Sequence, residues 1–184
     1  MIRKARPEDS HQLAELCYII WHELEVDVVK HIEKSRLLKA IEKGIVDVKY
    51  REHYSHIWVK EIDNKIAGCL IAYSGDQEEA LEQAWLDLDL DQDIRQFGTP
   101  MPQREANNDE YYIETVVTFP EYRGQGVATQ LMDFIMDHKK GEKFSLNCDV
   151  NNKGALHIYR KLGFESQSEF DLYGLPHYHM IFQA

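Results

Sequence analysis

The sequence contains no apolar run approaching the roughly 20 residues that a membrane-crossing helix requires, so no helical membrane span is expected. The stretch from Met1 to Ser10 is charged and has no apolar core of the kind that marks a secretory leader. A cytoplasmic location, away from membranes, is therefore expected. Cysteine is scarce. Cys17, Cys69 and Cys148 are an odd, scattered set, each within an apolar pattern, and read as buried reduced thiols rather than a disulfide framework. Lysine and arginine form no stripe that would neutralise phosphates along a duplex or single strand, so nucleic acid is not an expected partner. Internal repeats and low-complexity tracts are also missing. What remains is ordinary for a water-exposed globular chain. The 184 residues are 43% hydrophobic and 29% charged, enough for one domain with a real core.

The net charge of −11 is unevenly spread. Residues 75–110 carry eleven acidic residues against Arg95 and Arg104, a net of −9. Residues 111–163 carry seven basic and six acidic residues, a net of +1. An anionic ligand is repelled by the chain as a whole, but screening confines that repulsion to about 8 Å at physiological salt. Local structure in the second segment then decides.

Periodicity gives an element order. Ile2 to Ala5 reads as a short strand. Pro7, Glu8 and Asp9 supply helix-start chemistry. Leu13, Leu16, Cys17, Ile20 and Leu24 then recur at helical spacing. A second helix is predicted over about Val28 to Lys43, closed by Gly44. Residues 55–61 alternate as a half-buried strand, Asp63-Asn64 makes a turn, and Lys65 to Tyr73 returns as a second strand. Within the acidic segment, Asp76 and Glu79 match a capping box. Leu81, Ala84, Trp85 and Leu88 follow at helical spacing, and the stretch Phe97 to Pro102 ends any helix. This segment reads as an insertion at about 75–110 between strands 3 and 4, most simply a solvated acidic flap; a substrate-facing lid or dimer contact is the other reading. The tail from Glu169 to Ala184 reads as two closing strands around Gly174-Leu175-Pro176.

The stretch Tyr111 to Phe164 carries the chemistry. A strand pattern, Tyr112 to Thr118, runs into Pro120. The turn Arg123-Gly124-Gln125-Gly126 then opens a helix with Val127, Leu131 and Ile135 on one face. The N–H groups of Gln125 to Thr129 are the donors that a helix start leaves unpaired. Glycines let a ligand approach that backbone closely, and Arg123 adds a charged donor. Such a helix start suits a phosphate or pyrophosphate. A further strand, Phe144 to Val150, precedes a helix holding Asn152, Ala155 and Tyr159. Ala155, Tyr159 and Leu162 also form an apolar stripe, so Tyr159 reads equally as a core residue.

Two motifs in this order resemble the GNAT N-acetyltransferase superfamily. Arg123, Gly126 and Ala128 match its Arg/Gln-x-x-Gly-x-Gly/Ala signature. Asn152, Ala155, Tyr159, Gly163 and Phe164 match its Asn-x-x-Ala-x-x-x-Tyr-x-x-x-Gly-Phe partner. The match covers about 54 of the 184 residues. The resemblance implies an α/β (mixed α+β) fold: a single domain over 1–184 with a mostly antiparallel mixed sheet, splayed between strands 4 and 5, and helices on both faces. It implies an acetyl-CoA-dependent enzyme that needs no metal and acetylates a primary amine on a small molecule, protein or peptide by direct attack. A monomer or homodimer is expected.

The resemblance also implies roles. The pyrophosphate falls to Arg123, Gly124, Gln125, Gly126, Val127, Ala128 and Thr129. The cofactor arm falls to the backbones of Val116, Val117 and Thr118 and to Asn152. Tyr159 protonates the leaving sulfur. Some members place a base five residues before the motif asparagine; here that residue is Asn147, which cannot serve. Glu114 is the remaining candidate base, with Tyr112, Glu114, Val116 and Thr118 expected on one strand face. His179, Trp21, His22 and Glu25 are candidate lining residues of the acceptor pocket. A second reading is a non-catalytic acyl-CoA-binding or sensing module, which would keep the glycine loop without the acid and base.

Overall fold

Alternating and fully apolar segments set seven strands into one mixed sheet. The computed structural model describes residues 1–183, and the end of the predicted tail, Ala184, lies outside them. The strands are β1 (Ile2–Lys4), β2 (Ile57–Ile62), β3 (Lys65–Ser74), β4 (Tyr111–Thr118), β5 (Phe144–Asp149), β6 (Glu165–Leu172) and β7 (Leu175–Phe182). Their spatial order is β1-β2-β3-β4-β5-β7-β6. Every pairing is antiparallel except β4 with β5. The Asp63-Asn64 turn joins β2 to β3 with both residues at positive φ, 49° and 60°, as a tight hairpin requires.

β3 is apolar at nearly every position because both its faces are covered. Cys69, Ile71 and Tyr73 face a core built with α1 (Ser10–Glu23) and α3 (Lys34–Val46). Leu70 and Ala72 face a second core built with α6 (Val127–His138) and α7 (Lys153–Lys161). Between α1 and α3 lies the short α2 (Asp27–His31). The single helix expected over 28–43 is thus two pieces, interrupted by extended backbone at Ile32 and Glu33. Gly44 does not end α3; it lies inside it, where an added Cβ would sit 3.0 Å from the Trp85 ring.

The parallel β4–β5 pair is registered only at Tyr111 with Phe144 and Tyr112 with Ser145. Beyond Tyr112 the strands part, leaving the β5-side edge of β4 without a strand neighbour. The expected splay is present.

A bulge alters β4. Ile71 pairs with Thr115 and Ala72 with Ile113, so Glu114 has no partner on β3. The extra residue shifts the alternation by one. Tyr112 and Val117 face the α1/α3 core, whereas Val116 packs toward the α6/α7 core. The expectation that Tyr112, Glu114, Val116 and Thr118 share one face is therefore corrected.

Residues 75–110 are not a solvated flap. They contain α4 (Glu78–Gln83), α5 (Gln92–Arg95) and two single turns of tighter helix. Leu81, Trp85, Leu88, Ile94, Met101 and Ala106 enter the α1/α3 core. Glu78, Glu82, Glu105 and Glu110 are buried. The Asp76–Glu79 capping box does not form, because a tight turn over Gly75–Gln77 places the helix start at Glu78.

Gly68 marks a close approach of β3 to β4. A Cβ there would lie 2.5 Å from the Val117 carbonyl oxygen and 3.0 Å from a Val127 methyl. Gly68→Ala is expected to destabilise the fold by about 2–3 kcal/mol, lowering Tm by about 5–10 °C. Thermal unfolding followed by circular dichroism checks this; an unchanged Tm would show that the two strands are not held this tightly.

Candidate active site

The loop between β4 and α6 begins with a single tight turn, Pro120–Tyr122, and reaches Gly126 at φ 76°, a left-handed conformation that glycine adopts without strain. Val127, Leu131, Met132 and Ile135 bury one face of α6 against the sheet and fix its axis. The first amide after the loop to find an internal acceptor is that of Gln130, bonded to the Gly126 carbonyl at 3.0 Å. The six amides from Gly124 to Thr129 donate to no acceptor among the described residues. Arg123 extends an exposed guanidinium beside them, with Nε 3.3 Å from the Thr118 carbonyl. The loop is therefore a concentrated set of unused donors at the positive end of a helix dipole.

Two cavities open from this region. One, about 540 Å³, is lined by Val116, Val117, Thr118, Arg123, Gly124 and the first turn of α6. The other, about 490 Å³, lies on the far side of Tyr159 and is lined by Glu105, Tyr112, Glu114, Asn147 and Cys148 among others. Ile20, Glu23, Val116, Asn152, Ala155 and Tyr159 line both. The two spaces meet at the point where β4 and β5 part.

Tyr159 sits at that junction. Its ring packs against Phe164 with centroids 6.2 Å apart, and its hydroxyl has no hydrogen-bond partner among the described residues. Burial, with a minor contribution from Cys148, raises the phenol well above its ordinary value, so it remains a proton donor at neutral pH. Asn152 caps α7, its Oδ1 accepting from the Ala155 amide at 3.0 Å. Its own carboxamide thus serves the helix while also lining the cavities.

Glu114 reaches the second cavity from the bulge, with its side chain only 3% exposed. Burial, moderated by Arg51 and reinforced by Glu105, raises its carboxyl to about 7. The Arg51 Nε–Glu114 Oε2 contact is 3.1 Å but lies off the N–H axis, so it is a charge contact rather than a directed hydrogen bond. Both carboxylate oxygens keep acceptor capacity.

Arg51 is fully buried and lies within 4 Å of four carboxylates: Glu114, Glu105 at 3.0 Å, Glu82 at 3.3 Å and Glu78 at 3.8 Å. Arg104 adds a second cation, 2.8 Å from Glu78. Glu52 lies nearby and accepts from the Trp21 indole at 2.7 Å. Burial and the charge on Glu114 push the Glu52 carboxyl up to about 8. Two cations cannot neutralise this many buried acids, so the cluster retains protons.

Behind the cavity, Asn147 donates to the Glu105 carbonyl at 2.9 Å and to the Tyr112 hydroxyl at 3.2 Å. Tyr112 in turn donates to Glu105 at 2.5 Å. The Asn147 oxygen takes a 2.6 Å contact from His179 Nδ1, and His179 Nε2 lies 3.1 Å from Glu110. His177, not His179, lines the cavity. Trp21 is buried rather than lining, and Ile20, Glu23 and Leu24 take the lining places expected of His22 and Glu25. Cys148 also lines the cavity, but burial raises its thiol to about 11, which keeps it protonated and a poor nucleophile. Among the described residues, no group of three or more His, Cys, Asp or Glu side chains is arranged to hold a metal, and no helix is long and apolar enough to cross a membrane.

The family model of the acetyltransferase (GNAT) family matches residues 13–164. The chain belongs to this family. A solved N-acetyltransferase from Staphylococcus aureus Mu50 is 49% identical, with a TM-score of 0.97, over 99% of this chain and 100% of that one. Spermidine N(1)-acetyltransferase of Escherichia coli (strain K12) is 40% identical over 58 residues, 29% of this chain and 31% of that protein. N-alpha-acetyltransferase 30 of Schizosaccharomyces pombe is 36% identical over 56 residues, 29% of this chain and 37% of that protein. These curated matches span about a third of each relative's length. Membership of a GNAT acetyltransferase family implies an acyltransferase. The central sheet and the two motifs are those the resemblance implied.

Sequence reasoning missed Arg51, Glu105 and Glu23. A sharper helical phase on α1 would have found Glu23, three residues beyond the apolar Ile20. Nothing local distinguishes Arg51 or Glu105 from exposed charges.

The double duty of Asn152 is separable. Asn152→Ala is expected to lose the cap and about 1 kcal/mol, lowering Tm by about 3 °C, whereas Asn152→Ser keeps a capping oxygen and most of the stability. Equal Tm values for the two variants would show that the cap contributes nothing.

Proposed function

We propose that this chain transfers an acetyl group from acetyl-CoA to a primary amine by direct attack within a ternary complex. The observation that carries this reading is the junction of two cavities at Tyr159 and Val116, one walled by six unused amides and the other lined by the buried Glu114 carboxyl. The unused donors and the unpaired edge of β4 fit a diphosphate joined to an extended amide-bearing arm. Acetyl-CoA supplies an acetyl group activated as a thioester.

The chain's residues then divide the work. Arg123 and the amides of Gly124, Gln125, Gly126, Val127, Ala128 and Thr129 bind the diphosphate. Val116, Val117 and Thr118 offer backbone groups to the arm, and Asn152 borders it. Glu114 takes the proton from the incoming ammonium, leaving a neutral amine with a free electron pair. A carboxyl near 7 suits that task at physiological pH. The amine nitrogen attacks the thioester carbonyl carbon, and the carbon–sulfur bond breaks once the carbon–nitrogen bond has formed. The Tyr159 hydroxyl gives its proton to the departing sulfur, and the proton lost by the acylated nitrogen returns to the Tyr159 oxygen, while Glu114 passes the first proton to solvent. The Glu105–Tyr112–Asn147–His179 chain holds the rear wall rigid.

Thiol release from acetyl-CoA, measured with a panel of primary amines, tests the reading. Turnover is expected with at least one amine. Tight coenzyme A binding without turnover on any amine would instead favour a non-catalytic acyl-CoA-binding module. Tyr159→Phe is expected to lower kcat by about 10²-fold or more while coenzyme A affinity holds within about threefold; an unchanged kcat would remove Tyr159 from the chemistry.

The pH profile tests Glu114. Only the ionised carboxylate accepts a proton, so kcat/KM should climb as pH rises through about 7 and level off above it. Glu105→Gln removes a negative neighbour that raises the Glu114 carboxyl, so this limb should move to lower pH. A limb that stays in place in Glu105→Gln would exclude Glu114 as the titrating group.

A further inference from the structure

The two cavities are electrostatically opposite. The amide-lined space has Arg123 at its wall and only Glu23, at the shared junction, as an acid. The other is lined by Glu23 of α1, Glu105 of the 75–110 segment, Glu114 of β4 and Asp149 at the end of β5. No lysine or arginine side chain lines it. Its one histidine, His177, donates from Nδ1 to the Leu175 carbonyl at 2.9 Å, a contact that needs no ionised partner. Arg51, which contacts the lining residues Glu105 and Glu114, is not itself among the lining residues and is already shared among four carboxylates.

The charge in this space exceeds what one ammonium requires. Arg51 is shared with Glu78 and Glu82, so it does not fully offset Glu105 and Glu114, and negative charge remains inside for the amine that reacts. Glu23 and Asp149 then remain. Glu23 is exposed and forms no ion pair with any described residue. Asp149 accepts one turn hydrogen bond, from the Asn151 amide at 2.7 Å, through Oδ1 alone. Inside, Glu114 supplies a second kind of signal: a lining side chain 3% exposed, neither of whose oxygens takes a directed hydrogen bond, with Arg51 in charge contact at 3.1 Å. A buried acceptor of that kind is costly unless a ligand's N–H groups reach it.

From this lining we infer that the acceptor is a small amine carrying a second positive charge, a diamine or polyamine. One amino group is acetylated beside Glu114 and the other is held by Glu23 and Asp149. The inference rests on the reading of this cavity as the acceptor site. Neutral monoamines gain nothing from the carboxylates of Glu23 and Asp149, and an amine bearing a carboxylate is repelled by them.

The test compares four acceptors of one chain length with the intact protein and acetyl-CoA: 1,4-diaminobutane, 4-amino-1-butanol, butylamine and 4-aminobutyrate. Two contacts of the ordinary exposed strength amount to about tenfold in kcat/KM for the diamine over the neutral amines, with 4-aminobutyrate slowest. That ratio should shrink as salt is added, because solvent-accessible charges are screened. It should also shrink by about threefold or more in Glu23→Gln and in Asp149→Asn. Asp149→Asn keeps a turn acceptor, so its fold is protected, and circular dichroism verifies this.

A diamine-to-butylamine ratio near one in the unaltered protein would overturn the inference and leave acetyl transfer standing. A ratio that persists in both variants would also overturn it, since the named carboxylates would then not be its source. Turnover confined to peptide amino termini, with no diamine acetylated, would do the same. Coenzyme A binding without turnover on any amine would overturn the transferase reading itself, and the acceptor assignment with it.

Discussion

The sharing of one buried guanidinium among four carboxylates is the constraint on which the site depends. Arg51 follows directly on the buried Tyr50, in the connection from α3 to β2. It gathers Glu78 and Glu82 from α4, Glu105 from the end of the same insertion and Glu114 from the bulge of β4. Three distant parts of the chain are thereby pinned to one point. A buried ion pair of this kind is not a large source of stability, because desolvation offsets most of the attraction. Its effect is on position and on charge. It brings the insertion against the strand that opens, and it leaves more acid than base, so carboxyl groups in the cluster stay partly protonated near neutral pH.

The bulge at Glu114 is the local counterpart of that constraint. An uninterrupted β4 would send Tyr112, Glu114 and Val116 to one side of the sheet. The extra residue keeps Glu114 on the side of Tyr112 and Arg51 while sending Val116 to the opposite core, at the wall shared by both cavities. The parting of β4 from β5 completes the arrangement. A strand edge without a neighbour is ordinarily a liability; here it borders a loop whose amides are also unpaired, so both sets of unused groups face the same space.

Much of this architecture was legible locally. The β2–β3 hairpin follows from apolar strands around Asp63-Asn64. Helix α6 follows from Val127, Leu131 and Ile135 after a glycine turn. Asn152 and Tyr159 stood out because both fall in the motif that resembles the GNAT family's, whereas spacing alone placed Tyr159 in an apolar stripe. Less visible was the break between α2 and α3, where no proline or glycine marks Ile32 and Glu33. Gly44 read as a helix end, yet it is an interior residue made small by Trp85, forty-one positions away. The acidic insertion misled most, because eleven acids in a row of thirty-six positions resemble a solvated surface when their partners are unknown.

What the sequence determined by itself is whatever short-range physics controls: hydrophobic period, turn conformation, the donor-rich start of α6 and the order of strands and helices. Those interactions act between residues a few positions apart, so their pattern is written in the chain. Tertiary structure alone decided which acids are buried, which residue of β4 is extruded and which carboxylates face the second cavity. Desolvation and charge pairing depend on what folds against a group, and for Arg51, Glu105 and Glu114 that neighbour lies tens of residues away.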